Sequence, residues 1–256
     1  MNIVVLLKQT FDTEEKIPLA DGQIAADGMK YIINPYDEYA LEQAIRTKEE
    51  LGGKVTVVTA GADRSEEALR TALAMGADEA VRMADIDEDA DESVIAAVLS
   101  KYLQSISYDL IWAGHFSVDA GGGQVALRTA YRLGIPHVSA IVSFQLQERL
   151  VLAERDSEGD TEKVKVQLPA LFTAQQGLNE PRYPSLPNIM KAKKKPLTVI
   201  TPQDLGIPDE NLKPKTIVIE RKLPASRQTG KRLEGELHEQ VKQLIRLLRE
   251  DQNLQI

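Results

Sequence analysis

Residues 109–124, DLIWAGHFSVDAGGGQ, hold the junction whose reading decides the fold of this chain. Residues 109–113 are a short apolar run suited to a strand buried on both faces, and a helical pattern follows the glycines as far as Leu133. Between them runs the segment Gly114, His115, Phe116, Ser117, Val118, Asp119 and Ala120, which follows the strand and is the best candidate small-molecule site in the sequence. Gly121, Gly122 and Gly123 then lead through Gln124 into Val125. Three successive glycines leave backbone amides unshielded at a helix start, where the helix dipole favours a phosphate. The loop is no P-loop, because no Gly-Lys-Ser/Thr follows, and it lacks the G-x-G-x-x-G order of a dinucleotide fingerprint. From these residues alone, a flexible strand-to-helix turn stands as an equal reading.

Outward from this junction toward the N-terminus, strand and helix alternate. Residues 3–7 are a continuous apolar run suited to a central parallel strand. Residues 9–33 carry Asp21-Gly22 and Asp27-Gly28 as turn signals and predict a loop with a small hairpin. Asn34-Pro35 opens a helix through Leu51, with Tyr39, Leu41, Ala44 and Ile45 on one face and Gly52-Gly53 as its stop. Residues 55–59 are a second strand, Ser65 caps a helix through Met75, residues 79–83 are a third strand, and residues 92–103 form an amphipathic helix. This alternation predicts an α/β fold with a doubly wound, mostly parallel, Rossmann-like sheet that binds ligands at the carboxyl ends of its strands.

In the C-terminal direction, strands at 140–144, 150–153, 163–167 and 170–174 extend the same sheet. The string LNEPRYPSLPNIMKAKKK at residues 178–195 follows. Its prolines fix φ and hold the residues before them extended, so residues 180–186 predict a stiff loop, and Pro187 starts a short helix. On its own the string is a proline-rich connector with a solvated basic face, although Leu186 has little core to join there. We divide the chain into an α/β domain at 1–200, including the 178–195 loop, and a C-terminal arm at 201–256. In that arm, residues 213–220 are strand-like, residues 226–230 lack apolar side chains, and a helix over 235–249 aligns Leu237, Val241, Leu244, Ile245 and Leu248 in one stripe.

Composition excludes several function classes. The absence of cysteine removes disulfides, thiolate metal sites and cysteine nucleophiles, and the three histidines lack metal-ligand spacing. A formal charge of −8 argues against nucleic-acid binding. No apolar run approaches the roughly 20 residues of a membrane helix, and MNIVVLLKQT is too short and uncharged at its start for a signal peptide, so the reading is a cytoplasmic protein without membrane insertion. An ATP-pyrophosphatase-like enzyme would want a Ser-Gly-Gly-x-Asp-Ser type loop after the first strand, and Lys8-Gln9-Thr10 is not one.

The 178–195 string closely resembles the signature of the β subunit of electron transfer flavoprotein, and the likeness runs from the first strand to at least Leu205. The resemblance implies a non-catalytic electron carrier, with no substrate turnover of its own, that pairs with a flavin-carrying α subunit. FAD would then be bound mainly by that partner, and AMP by the 114–125 loop together with Leu6, Asn34, Pro35, Tyr36, Asp37 and Ala60. In electron-bifurcating members a second FAD takes the AMP position. His115 and Phe116 depart from the basic residue and glutamine common there. Phe11 and Thr13 lie in the loop that approaches the partner's flavin. Arg182, Tyr183, Pro184, Ser185, Leu186 and Pro187 match the recognition loop, whose leucine docks into flavin dehydrogenases such as those oxidising acyl-CoA. Electrons would pass on to electron transfer flavoprotein–quinone oxidoreductase and the respiratory chain, while the C-terminal arm wraps the α subunit.

Overall fold

In β1 (Asn2–Leu6) the side chains divide by the two-residue period of a strand. Ile3 and Val5 pack with Leu41, Ile45, Leu69, Leu73 and Trp112 on one face of the sheet, whereas Val4 and Leu6 pack with Val58, Val98, Leu99 and Leu103 on the other. A strand covered on both faces reads as continuously apolar, which is why IVVLL specifies the middle of a parallel sheet.

The computed structural model describes residues 1–20, 23–24, 28–87, 89–225, 230 and 232–252. Asp21-Gly22, Asp27 and residues 226–229, on which turn signals and part of the polar linker were read, lie outside the described residues. After β1 come β2 (Gln9–Phe11), β3 (Leu19–Ala20), β4 (Gln23–Ile24) and β5 (Tyr31–Ile33). The alternating region contains α1 (Pro35–Leu51), β6 (Lys54–Ala60), α2 (Glu66–Met75), β7 (Glu79–Met83), α3 (Glu92–Gln104), β8 (Leu110–Gly114) and α4 (Val125–Leu133). It is followed by β9 (His137–Gln147), β10 (Leu150–Ser157), β11 (Asp160–Gln167), β12 (Ala170–Ala174), α5 (Leu186–Ala192), β13 (Leu197–Ile200) and α6 (Leu237–Gln252).

Among the described residues the main sheet has nine strands in the order β11-β10-β9-β12-β8-β1-β6-β7-β13. Neighbours from β9 across to β13 are parallel, and β9, β10 and β11 form an antiparallel extension. The chain runs from β1 out through β6 and β7, then returns to place β8 on the other side of β1. The strand order therefore switches at β1/β8, where a doubly wound sheet opens a crevice beyond its carboxyl ends. Trp112 anchors this centre, with its ring centroid 5.0 Å from Phe144 and 5.6 Å from Phe172. The predicted hairpin takes two forms, β2 paired with β5 and β3 paired with β4.

Two local expectations change. Ser65 does not cap α2 with its side chain: it ends a 3-10 turn at Asp63–Ser65, and its hydroxyl donates to the Ala62 carbonyl at 2.7 Å. Asp91 caps α3 instead, accepting from the amides of Ser93 and Val94 at 3.1 Å each. Residues 213–220 form no strand, because β13 already occupies the edge beside β7 and a β-branched run becomes a strand only by pairing.

The described contacts divide the chain into Met1–Glu220 and Arg221–Ile256. The second unit holds α6, on which Leu237, Val241, Leu244 and Ile245 are exposed. Among the described residues no helix is long and apolar enough to cross a membrane.

Candidate functional site

The carboxyl ends of β1 and β8 meet at the first turn of α1. Pro35 lies in that turn, where its missing N–H costs no hydrogen bond. Asn34, which precedes it, does not cap the helix with its side chain. Its Nδ2 donates to Asp37 Oδ1 at 3.0 Å and to the Phe116 carbonyl at 2.9 Å, and its Oδ1 accepts from the Val118 amide at 3.1 Å. Asn34 thus fastens the loop after β8 to the start of α1.

Asp37 completes the joint. Its carboxylate accepts from the Lys8 amide at 2.6 Å, the Gly114 amide at 2.9 Å and Asn34 Nδ2, so one side chain ties together the carboxyl ends of β1 and β8. Burial pushes the carboxyl up to about 7, against the pull of those three donors. Gly114 is required by this approach: an added Cβ would collide with Asp37 Oδ1 and stand 2.8 Å from the Asp37 nitrogen.

Above this base the loop is pinned by charge. Lys8 Nζ reaches Asp119 Oδ2 at 2.7 Å and Ser117 Oγ at 3.4 Å, neutralising the acid within residues 114–125. Tyr36 and Phe116 pack with ring centroids 4.2 Å apart, and His115 meets Phe116 edge-on at 5.6 Å. Burial, assisted by Arg155, holds the His115 imidazole below its usual pKa. Gly121 and Gly123 adopt φ of +68° and +59°, which brings the chain round into α4. No side chain caps that helix, since the Gln124 side-chain oxygen is turned to Arg128 at 2.9 and 2.6 Å. Its first-turn amides therefore have no side-chain cap, and the glycine backbone beside them carries no side chain to shield them. A Cβ built on Gly122 would stand 3.0 Å from Glu92 Oε1, an acid that the sequence did not flag.

The structure gathers Asn34, Asp37, Gly114, Phe116, Ser117, Val118 and Asp119 into one hydrogen-bonded unit joined through Lys8, with the Tyr36 ring packed at a tilt against Phe116. Leu6 and Ala60 end neighbouring strands, although Leu6 is buried in the core. Lys8 was missed; its signal is the lone cation directly after the apolar run.

The second region lies at residues 178–195. Residues 178–185 have no regular structure, Ser185 precedes α5, and Pro187 lies in its first turn. Tyr183 and Leu186 are 96% and 79% exposed, whereas Arg182 turns inward onto α1. Lys195 is no part of a basic face: its Nζ donates to the carbonyls of Leu73 at 2.9 Å and Ala77 at 2.5 Å.

Residues 21–205 match the electron transfer flavoprotein domain. An electron transfer flavoprotein subunit beta of Bacillus subtilis (strain 168) is 52% identical over 254 residues, covering 98% of each chain. That of Syntrophomonas wolfei is 40% identical over 237 residues, covering 92% of this chain and 91% of the relative. The human subunit is 35% identical over 240 residues, covering 91% and 93%. With this likeness running the length of the chain, over the switch-point crevice and the proline-rich loop alike, the chain belongs to the electron transfer flavoprotein family, among its β subunits.

Proposed function

We propose that this chain is the non-catalytic half of a heterodimeric electron carrier in the cytoplasm. It holds AMP in the β1/β8 crevice, covers one side of an FAD bound mainly by an α subunit, and presents Leu186 to flavin dehydrogenases. Electrons then leave the heterodimer for a quinone oxidoreductase. FAD supplies the redox chemistry, and this chain supplies the nucleotide cradle, the docking surface and an arm at 201–256 that holds the α subunit.

The observation that carries the nucleotide assignment is the uncapped start of α4 behind left-handed Gly121 and Gly123. A phosphate there would receive first-turn amides and the positive end of the helix dipole, while Lys8 cancels the charge of Asp119. The aromatic pair Tyr36–Phe116 beside the loop suits a flat base. Asn34 and Asp37 are positioning residues in this scheme, since they hold the loop and both strand ends. Acid release of nucleotides from the purified heterodimer, followed by chromatography, is expected to give AMP and FAD in equal amounts. Two FAD without AMP would place this chain with the electron-bifurcating members, and FAD alone would refute the site.

A further inference from the structure

We infer that Arg182 is a positioning residue for docking: without meeting the partner itself, it fixes through α1 the direction in which Leu186 is presented. The inference rests on the docking role proposed for Leu186. The Arg182 guanidinium grips two carboxylates of α1 at once. Nε and Nη2 donate to Glu42 at 2.8 and 3.1 Å, and Nη1 and Nη2 donate to Glu49 at 2.6 and 2.9 Å. The Arg182 backbone amide adds a bond to Glu42 Oε2 at 3.2 Å. Glu42 is itself enclosed, with a side chain 3% exposed, and Arg46 holds its other oxygen at 2.7 Å while reaching the Glu180 carbonyl at 3.2 Å. Burial raises the Glu42 carboxyl, but the two guanidiniums and the Arg182 amide bring it below its usual pKa, so it stays charged. Asn179 Nδ2 adds a bond to the Tyr39 carbonyl at 3.0 Å.

At its far end the loop is held on α2, where Arg70 donates to the carbonyls of Ala192 and Lys195 at 2.9 and 2.8 Å. Tyr183 and Leu186 project between these two mounts. Pro181, Pro184 and Pro187 limit bending within the span, so a change at Arg182 is carried to Leu186 instead of being absorbed. Four residues reach at most about 13 Å at ~3.3 Å each, and a tilt of ~10° at the clamp then moves Leu186 by about 2 Å. That is enough to take an anchor side chain out of a fitted pocket. Arg182→Lys keeps the charge but cannot bridge two carboxylates in the planar fork.

The test uses the assembled, FAD-loaded heterodimer as the substrate of a donor flavin dehydrogenase. Arg182→Lys is expected to raise the apparent KM for the carrier about tenfold with kcat and AMP content unchanged and a modestly lowered melting temperature, and to speed hydrogen exchange in residues 183–192. Glu49→Gln weakens only the more exposed arm of the clamp, by removing its charge and one of its two acceptor oxygens, and should raise KM about threefold, a second reading that survives if Arg182→Lys assembles poorly. Because Arg182 acts through Leu186, adding Arg182→Lys to Leu186→Ala should change KM less than twofold. Wild-type KM and exchange in both clamp variants, alongside a raised KM for Leu186→Ala, would overturn the clamp while leaving the docking reading intact. Additive effects would overturn it as well, by making Arg182 a direct contact. A normal KM for Leu186→Ala would instead strike at the docking reading itself.

Discussion

Gly114→Ala probes the joint on which the proposed nucleotide site stands. The added methyl collides with Asp37 Oδ1 and lies 2.8 Å from both the Asp37 nitrogen and the Tyr36 carbonyl carbon. Two of these atoms are backbone in the first turn of α1, so no side-chain rotation relieves the contact. The helix start must draw back, and the 2.9 Å bond from the Gly114 amide to Asp37 is the first to break. Overpacking of this kind costs about 1–3 kcal/mol, and losing a bond to a buried carboxylate about 1.5–3 kcal/mol, so the substitution should destabilise by roughly 3–5 kcal/mol. Chemical denaturation of the heterodimer measures this, and nucleotide release measures the loss of AMP expected if the proposed site is correct. Gly122→Ala is the control, since the atom nearest its Cβ is the flexible end of Glu92, and it should cost under about 1 kcal/mol. If Gly114→Ala costs no more than that control and the protein keeps its AMP, the Asp37 joint does not support the site.

Asp91 gives a pH-dependent test. Burial works against its carboxylate, but Ser93 and the amides of Lys215, Val94 and Thr216 hold the pKa well below 3.8. A carboxyl depressed in the folded state contributes stability that is present above its unfolded pKa and lost as pH falls through the folded one. Asp91→Ala should therefore cost about 1–2 kcal/mol in denaturation at pH 7, with a gap to wild type that narrows below about pH 4, and a constant gap would contradict this. The exposed stripe of α6 gives another: deletion from Arg221 should leave Met1–Glu220 folded by circular dichroism and abolish heterodimer formation in size-exclusion chromatography, and normal assembly would remove the arm's role.

What was legible in the sequence depended on how far apart the interacting residues lie. IVVLL, the Asn34-Pro35 helix start and the glycine loop are local signals, and each falls where the pattern placed it. The links that turn them into a site span 29 residues between Lys8 and Asp37, 77 between Asp37 and Gly114, and 140 between Glu42 and Arg182. No periodicity carries such pairings. Edge elements were the other difficulty. LTVI at 197–200 is too short to stand out, and TIVI at 216–219 has the stronger strand composition, yet the first becomes β13 and the second has no regular structure. Strand propensity decides little until an edge is available. Ser65 and Asp91 show the same for caps, since either side chain could cap a helix and the backbone path into the helix chose.

Leu186→Ala tests whether this chain carries the docking contact of the electron carrier. The side chain is exposed and held by flanking prolines, so burying it in a partner costs little ordering. An anchor leucine contributes about 2 kcal/mol, roughly a thirtyfold change in affinity. With the heterodimer as substrate of a donor flavin dehydrogenase, the apparent KM should rise by about that factor. Melting temperature, FAD and AMP content, and reduction by dithionite should be unchanged. A lowered melting temperature with a normal KM would make Leu186 a packing residue and contradict the account.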